Sequence, residues 1–146
     1  MVQTMPDIKQ VIVLRTSYPD GRGGFFKPRK GKMIAQGAHA SMKVIFDQMQ
    51  DSGDDRLVLG PTEDWDWHGA VKPWIEGLFT KVCLQIPSET DLLALVEQAK
   101  TANLPVALIQ DAGLTEFHGV PTVTCCAIGP AKADDIDLIT GHLSLL

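Results

Sequence analysis

Residues 105 to 130, PVALIQDAGLTEFHGVPTVTCCAIGP, constrain the fold more than any other stretch of this chain. An apolar run, Val106 to Ile109, ends in Gln110 and Asp111, and a turn through Ala112 and Gly113 follows. A Thr-containing segment then leads into a second apolar run, Cys125 to Ile128, closed by Gly129-Pro130. Short apolar runs without polar alternation suit strands buried on both faces. Joined in this way, they leave Asp111 at the carboxyl end of the first strand, where open α/β sheets hold their ligands. An Asp that only caps the turn would fit the same pattern. The segment therefore gains functional meaning only from what converges on it.

A second block converges there. Val11-Ile12-Val13-Leu14 reads as another strand buried on both faces. After a basic loop, Gly31-Lys32-Met33-Ile34-Ala35-Gln36-Gly37-Ala38-His39-Ala40-Ser41 opens a helix expected over about residues 32 to 49. At roughly 100° per residue, Ile34, Ala38, Met42, Ile45 and Met49 cluster on one face. Lys32, Gln36, His39 and Lys43 fall within a narrow arc on the opposite face. Lys43 reads as solvated surface. A cation such as Lys32 in the first turn opposes the helix dipole, at a cost of roughly 0.3–1 kcal/mol, unless an anion is expected there.

The remaining elements follow from patterning and caps. A first strand spans about residues 9 to 15, and a second runs from about Phe79 to Ile86. Ser88-Glu89-Thr90-Asp91 is a capping pattern for a helix that buries Leu92, Leu95, Val96 and Ala99 and stops near Asn103, with Pro105 just beyond. A short helix is expected from Ala133 to about Thr140. The acidic stretch and all three tryptophans, Trp65, Trp67 and Trp74, fall in a long loop between the first helix and the second strand. This order suggests one α/β domain over residues 1 to 146, a small mixed sheet with helices on both faces.

Composition narrows the classes further. With 146 residues and 45% hydrophobic content, the chain can bury a proper core. It has no run of 18 apolar residues of the kind that spans a bilayer, and the N-terminal MVQTMPDIKQ lacks a signal-peptide layout. Cys125 and Cys126, neighbours in a strand, should point to opposite faces. With Cys83 they read as small core residues of a cytoplasmic protein. No C-x-x-C or H-x-x-x-H pattern occurs, so neither zinc nor another cofactor is expected. The net charge of −5 is unevenly spread. Residues 47 to 66 carry a net −6, whereas 22 to 32 hold Arg22, Lys27, Arg29, Lys30 and Lys32 with no acid. Interleaved with Phe25 and Phe26, that basic loop suits a phosphate backbone with a base or sugar against an aromatic ring. The acidic segment is a candidate contact for an unidentified protein, or for the chain's own basic loop in a dimer.

Taken in order, KQVIVLRT (9 to 16), GKMIAQGAHAS (31 to 41), Trp74, Gly77 and Lys81 leading into VCLQIPSE, the DAGLTE block, TVTCCAIGP (122 to 130) and ITGHLSLL (139 to 146) form a recognisable series. The chain resembles the type II peptidyl-tRNA hydrolases, which release tRNA from peptidyl-tRNA that has dropped off the ribosome. The resemblance implies a four-stranded mixed sheet in a three-layer α/β/α sandwich, a homodimer, and peptidyl-tRNA as substrate. It also implies site residues at Lys32, Asp111, Thr115 and Thr124, with Gln36 and His39 at the edge and Arg22, Lys27, Arg29 and Lys30 toward the tRNA. The reaction needs water aimed at the ester carbonyl, a donor for the oxyanion and a proton for the leaving ribose oxygen. Asp111 beside Lys32 would be held ionised and would orient water, or Lys32, better than it would accept a proton. Thr115 and Thr124 would hold the water or a backbone carbonyl. His39 is a general-base candidate by residue type, second to a structural role on its helix, and Ser41 lacks a nucleophile-elbow setting.

The chain departs from the family pattern in a longer 17 to 30 loop, an extended acidic 50 to 73 region, and Phe117-His118 in place of a proline-containing turn. The alternatives are a non-catalytic or regulatory tRNA- or protein-binding member of the same fold, and a hydrolase of another acylated substrate.

Overall fold

A computed structural model describes residues 7–113 and 117–146. Its centre is a four-stranded mixed sheet built from β1 (Ile8–Arg15), β2 (Lys81–Ile86), β3 (Val106–Asp111) and β4 (Thr122–Lys132). The spatial order is β2-β1-β4-β3, with β1 parallel to β2 and antiparallel to β4, and β3 antiparallel to β4. Helix α1 (Lys30–Phe46) covers one face. Helices α3 (Glu89–Thr101) and α4 (Ala133–Thr140) cover the other, and a short α2 (Lys72–Glu76) lies between α1 and β2 in the chain. This is the three-layer α/β/α sandwich expected from the sequence.

Why these residues form these layers follows from the central strands. Val11 and Val13 of β1 face α3 and α4, whereas Ile12 and Leu14 face α1. A strand packed on both sides has no place for polar alternation, which is why residues 11 to 14 read as one apolar run. Ser88 caps α3 as expected, its hydroxyl accepting from the Asp91 amide at 3.1 Å. Leu92, Leu95, Val96 and Ala99 are buried beneath it. Strand β4 does not close at Gly129-Pro130 but continues to Lys132, because Ile8 and Lys9 pair with Lys132 and Ala131 beyond a register shift.

Three expectations are corrected. Helix α1 does not bury the Ile34 stripe. It seats Met33, Gln36, Gly37, Ala40 and Val44 on the sheet and leaves Ile34 and Met42 73% and 54% exposed. Small side chains let the helix settle close to β1, where a Cβ on Gly37 would lie 3.6 Å from Ile12. The rotation also carries Lys32 and Gln36 toward β3 and β4. Cys125 and Cys126 are buried, but Cys83 is exposed, since α1 packs over β1, β3 and β4 and leaves that side of β2 open. The 50 to 73 segment is not a bare loop. It holds a small ribbon (Gln50–Asp51 with Leu57–Val58) and a π-helical turn (Trp67–Val71) that runs into α2. Buried Trp65, Val71 and Trp74 anchor it, and the Trp74 indole N–H donates to the Thr80 carbonyl at 2.8 Å.

Candidate active site

The carboxyl end of β3 meets the first turns of α1, and four side chains close there into one hydrogen-bonded cluster. Lys32 Nζ donates to Asp111 Oδ2 at 2.7 Å. Gln36 Nε2 donates to the same oxygen at 2.6 Å. Thr124 Oγ1 donates to Gln36 Oε1 at 2.8 Å. The second carboxylate oxygen of Asp111 accepts from the Gly113 amide at 2.6 Å. Lys32 and Gln36 are four apart on one helix face, so a single rotation of α1 delivers both.

The strand side of the cluster depends on an irregularity. Ile109 pairs with Cys125 and Gln110 with Val123, so Thr124 is an extra residue in β4. A bulge of this kind re-aims a side chain. Here Val123 and Cys126 pack in the core under α3 and α4, while Thr124 and Cys125 both turn to α1. The Cys125 thiol donates to the Gln36 carbonyl at 3.1 Å, beside the Thr124 bond to the Gln36 amide. The carbonyls of the bulged stretch are also taken up. Arg15 Nη1 donates to Val123 O at 3.2 Å, and the Tyr18 hydroxyl donates to Thr124 O at 3.4 Å.

Past Asp111 the chain turns at Gly113 with φ +83°, where a Cβ would collide with the Val120 carbonyl. Only glycine allows that approach. The Gly119 amide closes the turn by donating to Gly113 O at 2.7 Å.

Electrostatics follow from this packing. Burial pushes the Asp111 carboxyl upward, but the Lys32 ammonium, the Gly113 amide and the Gln36 amide outweigh it and hold the group below its ordinary value. Asp111 is therefore a standing anion and a weak proton acceptor. Burial pushes the Cys125 thiol up to about 12 and raises Cys126 further, so neither supplies a thiolate. The Ser41 hydroxyl is spent on Gln10 Oε1 at 2.5 Å, inside the molecule. Among the described residues, no group of three or more His, Cys, Asp or Glu side chains could hold a metal ion.

Of the residues singled out from sequence, Lys32, Gln36, Asp111 and Thr124 meet. Gln36, expected at the edge, sits in the middle and is 4% exposed. Its burial is hidden in the sequence because a glutamine among small residues reads as solvated surface. Thr115 lies outside the described residues. His39 is exposed, and among the described residues no hydrogen bond joins it to the cluster. Arg22, Lys27, Arg29 and Lys30 are exposed on the segment that precedes and enters α1. That segment begins with a ribbon, Tyr18–Pro19 against Phe25–Phe26, turned by Asp20, whose Oδ1 accepts from the Arg22 and Gly24 amides. Arg15, Tyr18 and Phe117, none of them named as a site residue from the sequence, wall the space beside Lys32 and Thr124. The two aromatic positions fall in regions that read, from the sequence, as departures from the family pattern.

A mixed α/β sheet with an ion pair, a buried amide and a hydroxyl gathered at a strand's carboxyl end defines a small α/β protein with a polar site where that strand meets α1. Comparison with known proteins then specifies it: the chain belongs to the peptidyl-tRNA hydrolase PTH2 family, which it matches over residues 8–146. It is 35% identical over 139 residues to a peptidyl-tRNA hydrolase of Metallosphaera sedula, covering 95% of this chain and 100% of that protein. Peptidyl-tRNA hydrolases of Methanopyrus kandleri and Halobacterium salinarum are each 40% identical, over 138 and 139 residues. Each of these alignments covers 94% of this chain, and 97% and 99% of the respective relatives.

Proposed function

We propose that this chain hydrolyses the ester joining peptide to tRNA in peptidyl-tRNA, releasing the peptide and free tRNA. The observation that carries the reading is the closed Lys32–Asp111–Gln36–Thr124 cluster on a chain of this family. Water attacks the ester carbonyl, and its proton must finally reside on the departing ribose oxygen. Lys32 supplies positive charge to the developing oxyanion, a donor role typically worth roughly 3–4 kcal/mol. Asp111, held ionised, orients Lys32 and the attacking water. Thr124, 1% exposed, fixes the Gln36 amide so that its N–H₂ faces Asp111. Thr115, matched through the family, completes the assignment. His39 is assigned to the rim of the substrate site.

The basic residues Arg22, Lys27, Arg29 and Lys30 take the tRNA backbone. Helix α1 begins without an acidic residue in its first turn and without a side-chain cap, which suits an approaching phosphate. Nothing favours a non-catalytic member: the ion pair and its two supports are intact. Among the described residues no helix is long and apolar enough to cross a membrane, and we assign the protein, as one domain, to the cytoplasm.

The chain works as a homodimer. A groove of about 680 Å³ beside α1 is lined by Ile34, Ala38, Met42, Ile12, Cys83 and Leu146 and rimmed by Lys27, Lys30 and Lys81. Two α1 helices laid antiparallel fill such grooves mutually. They also bring the acidic 47 to 66 segment of one copy to the basic end of the other.

The test is purified protein with peptidyl-tRNA, scored for released tRNA, beside Lys32→Ala and Asp111→Ala. Both variants should fold and lose most activity. Wild-type turnover no faster than buffer would refute the assignment.

A further inference from the structure

The basic loop and the loop after Asp111 touch each other. The ribbon Tyr18–Pro19/Phe25–Phe26 pairs through only two residues per strand. A two-stranded ribbon of that size does not hold its shape in water by itself. What holds it is a cluster of rings on its inner side. The Tyr18 and Phe26 rings lie 5.6 Å apart, and the Phe117 ring lies 4.8 Å from Tyr18 and 6.2 Å from Phe26. Tyr18 and Phe117 are buried, and the Arg15 guanidinium lies 4.3 Å above the Tyr18 ring. Phe117 also borders the reaction centre. Its ring centre is 5.8 Å from Lys32 Nζ, within cation–π range, and it walls the same small space as Gln36 and Thr124.

The geometry points to Phe117 as a positioning residue: it clamps the basic ribbon, through Tyr18 and Phe26, in fixed register with Lys32 and Asp111. The inference rests on the proposed activity for its substrate. A tRNA gripped by Arg22, Lys27 and Arg29 then presents its acylated end at one distance from the cluster, rather than from a ribbon that swings. Binding energy on the ribbon becomes useful at the ester only through such registration. Phe26 is the diagnostic partner, because its ring meets Phe117 and Tyr18 on the ribbon side, whereas Lys32 lies against Phe117.

The experiment compares wild type, Phe26→Ala, Phe117→Ala, the double variant and Phe117→Tyr. It measures KM and kcat for peptidyl-tRNA, affinity for deacylated tRNA, and the thermal midpoint. Phe26→Ala should lower kcat/KM roughly two- to tenfold, the range open to a lost aromatic pair, through a lower kcat as well as a higher KM. The double variant should fall short of the product of the two single effects, since both residues act within one ring cluster. Phe117→Tyr keeps the ring and should restore kcat/KM. Independent, multiplying effects of the two alanines would overturn the clamp. So would a folded Phe26→Ala with unchanged kcat/KM and tRNA affinity. Should Phe117→Ala not fold, Phe26→Ala and Phe117→Tyr carry the comparison. A wild type that binds tRNA without turnover, and more weakly as Phe26→Ala, would sink the hydrolase reading but leave the clamp standing. A wild type that does not bind tRNA would sink both.

Discussion

Replacing Gln36 by glutamate changes one donor into an acid at the centre of the cluster with little change in shape. In the wild type the Gln36 amide donates to Asp111 Oδ2 at 2.6 Å and accepts from Thr124 at 2.8 Å. In Gln36→Glu the new carboxyl can keep both bonds only while it carries a proton to donate to Asp111. Once ionised, it sets two carboxylates side by side. Two like charges about 4 Å apart repel by about 4 kcal/mol at the effective dielectric of a partly buried site. Lys32 offsets part of this, so the figure is an upper bound. The proton is therefore held more tightly in the folded variant than in its unfolded chain. By linkage, stability then falls as pH rises through the folded value and is recovered in acid. Wild-type Asp111 has the opposite sign. Its folded value is depressed, so its contribution is present above the unfolded value and lost as pH falls through the folded one.

Thermal melts of both proteins between about pH 5 and pH 8 read this directly. The gap between them should be small at the acidic end and widen toward the alkaline end, by up to roughly 8–16 °C for a chain of this size. Peptidyl-tRNA hydrolysis by the variant should decline over the same interval. A gap that stays constant with pH would show that residue 36 does not face Asp111, and the proposed geometry of the site would go with it.

Thr124→Val removes the hydroxyl without changing the shape and leaves Gln36 Oε1 without its buried donor. Chemical denaturation should show a loss of about 1–3 kcal/mol, with tRNA release slowed because Gln36 is free to turn. Neutralising Arg22, Lys27 and Arg29 together should raise KM for peptidyl-tRNA and flatten its dependence on salt; identical salt slopes would make the loop a bystander. Met42→Glu on the exposed stripe of α1 should convert a dimer to a monomer in sedimentation velocity. A wild type that sediments as a monomer would remove the second copy from the groove.

Much of this architecture is legible in the sequence because its causes are local. Residues 11 to 14 are apolar without alternation since both faces of β1 are covered, and Ser88 announces α3 through its own hydrogen bond. A cation in a first turn and an acid at a strand end hint at the meeting of Lys32 and Asp111, and the family resemblance implies it. The rotation of α1 is not legible. Counting apolar positions favours Ile34 and Met42, but Gly37 and Ala40 allow the closer approach, and the polar bonds of Lys32 and Gln36 settle the angle. Nor can alternation find the orientation of Thr124. It depends on a pairing of β3 with β4 that skips one residue, and such a pairing belongs to neither strand alone.

That skipped residue divides labour along the chain at a single peptide unit. Val123 serves the interior under α3 and α4, while its successor faces α1 and Gln36. Deleting Val123 would bring the strand back into step with its neighbour and swing the Thr124 hydroxyl from α1 to the side of the sheet under α3 and α4. The proposed site thus sits at a local defect of periodicity two residues into β4, backed by the regular pairing of residues 125 to 128 with β1.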